Sequence, residues 1–186
     1  MQLTYTPLIL PFVISMGITA ILAGYAMRQS SAAARTFTLL MLMLELWIFC
    51  YVMELSSVTL AEKIFWLKLK YLGAGPAPML WFIFSLRMTN HEGWLGKPLR
   101  VGIITWVLLL WGVIFTNDLH HWMWVEITLV PGFPETQSVH GFFFWVYAIT
   151  VYVLTVERIT GKAQIMPELS EQWPAIDRTK TPNARP

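Results

Sequence analysis

The sequence predicts an all-α polytopic membrane protein: a bundle of five transmembrane helices with a small extracytoplasmic β-hairpin between the fourth and the fifth. Three observations carry this. Of the 186 residues, 56% are hydrophobic and only 13% are charged, with mean hydropathy +0.55, whereas a soluble domain carries about 25% charged residues. Too few polar groups remain to coat a water-soluble globule of this size. The apolar residues gather into runs about as long as the roughly 20 residues that cross a bilayer core as a helix. Between the last two runs, one stretch changes to alternation with period two, the spacing of a strand.

The first run spans about Pro7 to Met27 and the second about Ala33 to Leu55. Because "MQLTYTPLILPF" lacks a basic start, the first run is expected to remain as a helix and not to be cleaved as a signal peptide. The third run, about Ile64 to Met88, is interrupted by "GAGPAP". There Pro76 and Pro78 each remove a backbone donor and clash with the preceding turn. Such a break is tolerated where backbone lines a cavity or water, so Pro76 and Pro78, with Trp81 below them, form either a pocket wall or an inert packing kink. The fourth run is about Leu99 to Phe115. The fifth, about Gly141 to Thr155, is uncharged but near the lower limit of length.

Loop charges set the orientation, since cytoplasmic loops are rich in Lys and Arg. Arg28 and Arg35 mark the first loop, Arg87, Lys97 and Arg100 the third, and Arg158 and Lys162 the stretch after the fifth run. The loop from Asn117 to His140 has Asp118, Glu126 and Glu135 and neither Lys nor Arg. The expectation is an N-terminus outside and a C-terminus in the cytoplasm of a bacterial inner membrane. Residues 1–157 make the membrane domain. Residues 158–186, polar and with prolines at 167, 174, 182 and 186, make a flexible cytoplasmic tail.

In the outer loop, Trp122, Trp124, Glu126 and Thr128 alternate with Met123, Val125, Ile127 and Leu129. Pro131 and Gly132 supply a turn, and "ETQSVHGFFFW" a return strand. The tryptophans of this hairpin are expected at the headgroup level. His120, His121 and His140, with Asp118 or Glu135, could converge on zinc, but adjacent strand residues face opposite ways. Interfacial packing, with Asn117 or Asp118 stopping the fourth helix, is the competing reading, and a ligand-facing role for some of these side chains is a third. No metal and no cofactor is assigned. The lone cysteine, Cys50, permits no intramolecular disulfide. A formal charge of +2 is too small to suggest nucleic-acid binding.

Ionisable groups within spans are costly and often functional. On the second helix Trp47, Tyr51 and Glu54 share one face; on the third Lys63, Trp66 and Lys70 do the same. A short connection makes the two helices antiparallel, so facing these stripes pairs Glu54 with Lys63 or Lys70 and brings an ammonium near Trp47 or Tyr51. Glu45 lies about 180° from Glu54 and needs another partner. Lys68, off the stripe, is read as snorkelling to the interface. The Glu–Lys pairing serves either helix packing alone or ligand sensing.

The order "LWIFCYVMELSSVTLAEKIFWLKLKYLGAGPAPMLWFIFSLRMTN", then "FTNDLHHWMW", then "GFFFW" resembles the seven-transmembrane N-terminal sensor region of bacterial histidine kinases. The resemblance rests on Glu54 and Leu55, on Lys63, Trp66, Tyr71 to Gly73 and Pro78, on Thr116, Asn117, His120 and Trp124, and on Gly141 and Trp145. It covers roughly residues 1 to 157. It implies a two-component sensory receptor whose relatives continue through two more helices into PAS, histidine kinase or diguanylate cyclase modules. The chain reads as that region truncated after its fifth helix, without a catalytic output domain, and is expected not to be an enzyme.

The functional expectation is a membrane-embedded ligand-binding domain. Its candidate pocket or coupling residues are Glu54, Lys63, Lys70, Trp47, Tyr51, Pro76, Pro78, Trp81, Asn117, His120, Trp124 and Trp145. The expected partners are the lipid bilayer, a small-molecule or lipid-soluble ligand, and a membrane protein or a second copy of the chain. The alternative is an accessory or structural subunit of a larger membrane complex. An enzyme using the outer-loop histidines is disfavoured, because no general base stands at a compelling spacing from a nucleophile.

Overall fold

A computed structural model describes residues 7–130 and 134–154. The expected tail at 158–186 and the Pro131–Gly132 turn lie outside the described residues. Helices α1 (Ile9–Met27), α2 (Ala32–Ser56) and α5 (Lys97–Phe115) are long and apolar enough to cross a membrane. The third apolar run is broken at its Gly-Pro stretch, as expected, into α3 (Leu60–Ala74) and α4 (Ala77–Met88). A four-residue turn of helix, α6 (Asn117–His120), follows α5. A last apolar helix, α7, covers Phe142–Leu154.

Local chemistry sets these boundaries. Ser31 begins α2 by accepting from the Ala34 N–H, and Thr59 begins α3 by accepting from the Glu62 N–H. Each satisfies one of the donors a helix start leaves open. Gly75 closes α3 and Pro76 opens α4, because proline has no N–H to continue the ladder. The carbonyl that Pro78 leaves without its helical donor is that of Ala74. It accepts instead from the Tyr147 hydroxyl of α7 at 3.2 Å. One turn earlier, Trp111 Nε1 of α5 donates to the Tyr71 carbonyl at 3.2 Å. Side chains from two neighbouring helices thus dress the break.

Helix α2 is the spine, packing most extensively against α3 and α1 and then against α4. Its contact with α3 is close because Gly73 has no side chain: a Cβ there would fall 2.8 Å from the Trp47 nitrogen and collide with the Met43 carbonyl. One apolar cluster joins Leu67, Leu110, Ile114, Met123, Trp124 and Phe143; a second joins Ala23, Leu40, Met41 and Ala77. Along α1, Leu10, Ile14, Ile18, Ile21 and Tyr25 each expose more than half of their surface. An apolar face of that extent marks a surface for lipid or for another protein.

The hairpin is present. Strand β1 (Trp124–Leu129) pairs antiparallel with β2 (Thr136–His140), with a register shift between Trp124 and Glu126. That irregularity spoils the expected simple alternation, as a bulge does. Two further expectations change. The strand starts at Trp124, so His120 ends the helical turn α6, His121 caps it in a left-handed conformation, and the two are not strand neighbours. Trp124 does not float at an interface but is 2% exposed in the core, while Trp122 is 55% exposed.

Candidate functional site

The hairpin is fastened to the α2–α3 end of the bundle by three consecutive residues. The Lys63 ammonium, at the start of α3, donates to the Pro134 carbonyl at 2.6 Å and to the Glu54 carbonyl at 2.8 Å. The Tyr51 hydroxyl donates to Glu135 Oε1 at 2.5 Å. The Thr136 hydroxyl donates to Glu54 Oε1 at 2.7 Å. The second Glu54 oxygen, Oε2, accepts from the Lys70 ammonium at 2.7 Å. Glu54 is 2% exposed and Lys63 4% exposed. Burying such charges is costly unless they are paired and hydrogen-bonded, and here both carboxylate oxygens and the Lys63 ammonium have partners. The Lys70 ammonium also lies 5.1 Å from the centre of the Tyr51 ring, within cation–π range.

Two cavities meet at this network. A small one of about 160 Å³ lies under the hairpin and is lined by Glu54, Lys70, Tyr71, Trp124, Thr136 and others. A larger one of about 710 Å³ runs between Phe12 and Ser15 of α1, Trp47 and Tyr51 of α2, Lys70, Tyr71 and Ala74 of α3, and Tyr147 of α7. Tyr51, Lys70 and Tyr71 line both. Trp124 meets Tyr71 edge-on at 5.3 Å between ring centres, and Tyr71 meets Tyr147 at 6.1 Å. An aromatic file therefore runs from the hairpin base to α7 along the cavity wall.

The hairpin base is fixed by Asn117, which is 5% exposed. Its Oδ1 accepts from the Met123 and Trp124 N–H groups at 2.8 and 3.1 Å, and its Nδ2 donates to the Trp124 carbonyl at 2.9 Å. Contrary to the reading in which Asn117 or Asp118 stops the fourth helix, α5 has already ended at Phe115 and Asn117 opens α6. The start of α7 is held by the segment just before β1, with Gly141 N–H on the Met123 carbonyl and Phe143 N–H on the Trp122 carbonyl, both 2.9 Å. A Cβ on Gly141 would collide with the Trp122 carbonyl, so a side chain there would push α7 away.

The sequence model for the N-terminal 7TM region of histidine kinase matches residues 11–159. The chain belongs to that family. No curated protein and no solved structure matches it. As a member of the histidine-kinase 7TM region it is a membrane protein, and the matched part is the sensory portion of such receptors, not their catalytic module.

Within this 7TM-region member, the expected residues separate into two groups. Glu54, Lys63, Lys70, Trp47, Tyr51 and Trp124 come together at the cavities and their hairpin fastening. Of the two lysines offered as the partner of Glu54, Lys70 makes the ion pair, while Lys63 binds main-chain carbonyls. Asn117 stands behind the site as the brace of Trp124. The others stand apart. Pro76 and Pro78 break the helix, but the larger cavity stops at Ala74. Trp81 is 46% exposed and lies beside Phe84, and Trp145 is 59% exposed. His120 is spent locally: its Nδ1 accepts from the Trp122 N–H at 3.0 Å and its Nε2 meets the Thr116 hydroxyl at 3.0 Å. His121 Nδ1 pairs with the Asn117 carbonyl, while the His140 ring packs on Phe144 and lines the smaller cavity. Among the described residues no group of three or more His, Cys, Asp or Glu is placed to hold a metal.

Other charges found partners that spacing had not named. Glu45 accepts from the Thr19 hydroxyl of α1. Lys68 reaches Asp118 at 2.7 Å, an ion pair with an exposed acid in place of a free snorkelling chain. Arg87 of α4 donates to the Ala32 carbonyl at 2.8 Å and to the Thr36 hydroxyl, tying α4 to the opposite end of α2 from Glu54. Phe12, Ser15, Tyr71 and Tyr147 were missed as cavity residues. Only the helix packing brings them together, and no short-range pattern marks them.

Proposed function

We propose that the chain is the ligand-binding membrane domain of a bacterial signal-transduction receptor, with the aromatic cavity beside Lys70 as its ligand site. The observation that carries this reading is the Glu54–Lys70 pair. It joins α2, α3 and the hairpin at the point where the two cavities meet. A ligand in the larger cavity touches the same lysine that holds the hairpin's carboxylate anchor, and the same Tyr147 that docks α7 on the helix break. Occupancy then shifts the packing of α7 and α3 by as much as the ligand prefers one arrangement over the other. Output then passes to a kinase-type signalling module.

In this reading the chain crosses the inner membrane five times, with α3 and α4 together making one broken crossing and α7 the last. The hairpin and the α2–α3 turn lie outside; Arg28, Arg35, Arg87 and the chain after α7 lie in the cytoplasm. Non-helical backbone at the α3–α4 break is compatible with the bilayer because protein side chains cover it.

The test is a fusion of residues 1–159 to the cytoplasmic module of a histidine kinase, with autophosphorylation followed as the medium is varied. A medium-dependent output that Glu54→Gln and Lys70→Met both abolish, at unchanged membrane levels, supports the reading. An output that never varies, or that varies equally in both variants, overturns it.

A further inference from the structure

We infer that the larger cavity takes a hydrophobic carboxylate: an aryl or alkyl body ending in an acid. The inference rests on the cavity being the ligand site and adds the chemistry of what fills it. The walls are rings, from Phe12, Trp47, Tyr51, Tyr71 and Tyr147, which suit an apolar body. A single formally charged side chain, Lys70, lines the cavity, and no acidic residue does so among the described residues. A cationic ligand would therefore meet an ammonium and no counter-charge.

The donors of that ammonium decide between an acid and a neutral head group. A lysine ammonium has three N–H donors. Among the described residues Lys70 Nζ has one hydrogen-bond acceptor, Glu54 Oε2. Both Glu54 oxygens are already engaged, by Lys70 and by Thr136, so the carboxylate has its neutralising contacts while the ammonium retains free N–H groups beside the cavity. Nearby, the buried Lys63 ammonium is held by two main-chain carbonyls, which take two of its three donors without cancelling its charge. Glu54 faces two ammonium groups at this depth. Glu135, the other acid of the cluster, is exposed, where water and salt screen it. An incoming carboxylate meets the remaining N–H groups of Lys70 with charge-assisted hydrogen bonds, which are stronger than those of a neutral hydroxyl.

The experiment compares three molecules with one body and different heads, namely phenylbutyrate, phenylbutanol and phenylbutylamine. Each is titrated onto the full chain in nanodiscs of zwitterionic lipid, with tryptophan fluorescence as readout and empty nanodiscs as the partition control. Phenylbutyrate should saturate at least about tenfold more tightly than the alcohol, the weight of one charge-assisted hydrogen bond, and the amine should not saturate. Lys70→Arg should retain phenylbutyrate binding, Lys70→Gln should lose it, and Lys68→Gln, which breaks an ion pair outside the cavity, should leave it unchanged. Ser15→Trp fills the cavity from α1 without touching the ion pair and should also abolish binding, so the outcome does not hang on the folding of Lys70→Gln. Binding of the alcohol or amine as tight as that of the acid, lost in Ser15→Trp, overturns the acid but keeps the cavity as a ligand site. Absence of saturable phenylbutyrate binding, or its survival in Lys70→Gln, also overturns the proposal.

Discussion

Glu54 accepts one hydrogen bond from a hydroxyl on the hairpin and one from an ammonium on the next helix, at a position almost closed to solvent. Removing one partner of a buried pair costs about 3–5 kcal/mol, mostly because the other charge is stranded. Glu54→Gln and Lys70→Met should each destabilise the protein by about that much, read as a lower midpoint of unfolding when SDS is titrated into mild-detergent micelles. The double variant should cost clearly less than the sum; strict additivity would show that the two side chains do not act on one another. Asn117 is a second such residue, with three hydrogen bonds to the base of β1. Asn117→Ala strands two N–H groups and a carbonyl and should cost about 2–4 kcal/mol in the same assay. A loss within experimental scatter would mean that water replaces the amide. The two residues differ in how far sequence reveals them. Helical spacing on two antiparallel helices brings Glu54 opposite Lys63 and Lys70, because a period and a short turn are local properties. It cannot choose between the lysines, since the choice is made by the Pro134 carbonyl, which arrives from far along the chain and captures Lys63. Asn117 shows nothing of its role in advance, because its partners are main-chain groups and any sequence supplies those.

At the scale of elements, the α3–α4 break was legible and its use was not. Two prolines within three residues forbid a continuous helix, so a break near Gly75 follows from the sequence alone. Which carbonyls are freed, and what covers them, depends on α5 and α7 docking nearby. The pairing of Tyr147 with the Ala74 carbonyl makes a specific prediction. Tyr147→Phe leaves that carbonyl unpaired and should cost about 1 kcal/mol or more. Pro78→Ala restores a main-chain N–H in register with Ala74, so in that background Tyr147→Phe should cost much less. Equal costs in both backgrounds, measured by SDS unfolding, would remove Tyr147 from the break. The α2–α3 contact responds differently. Gly73→Leu inserts a side chain where a Cβ already collides with the Met43 carbonyl. It should force the two helices apart and pull Glu54 from Lys70, so the coupling measured by the double variant should vanish along with overall stability.

For the whole molecule the membrane decides what the amino-acid pattern means. The same exposed apolar face of α1 that would precipitate a soluble protein is unremarkable against lipid tails, and the absence of Lys and Arg between Asn117 and His140 has meaning only because loops differ in charge across a membrane. The structure fixes which features share an end. The hairpin meets the α2–α3 turn through Lys63 and Pro134, while Arg87 grips Ala32 at the other end of α2. Two groups of loops are thereby separated along the bundle, and thiol labelling tests whether a membrane lies between them. In a Cys50→Ala background, which removes the one native thiol, Gln137→Cys puts a thiol on the hairpin and Ser30→Cys puts one in the turn between α1 and α2. In spheroplasts a maleimide that cannot cross the membrane should label Gln137→Cys at once and Ser30→Cys only after lysis. Labelling in the reverse order would turn the bundle over and close the cavity to ligands arriving from outside through the hairpin. Labelling of both positions before lysis would mean that α1 and α2 do not frame a crossing with the hairpin at its far end, and the five-span arrangement would fall.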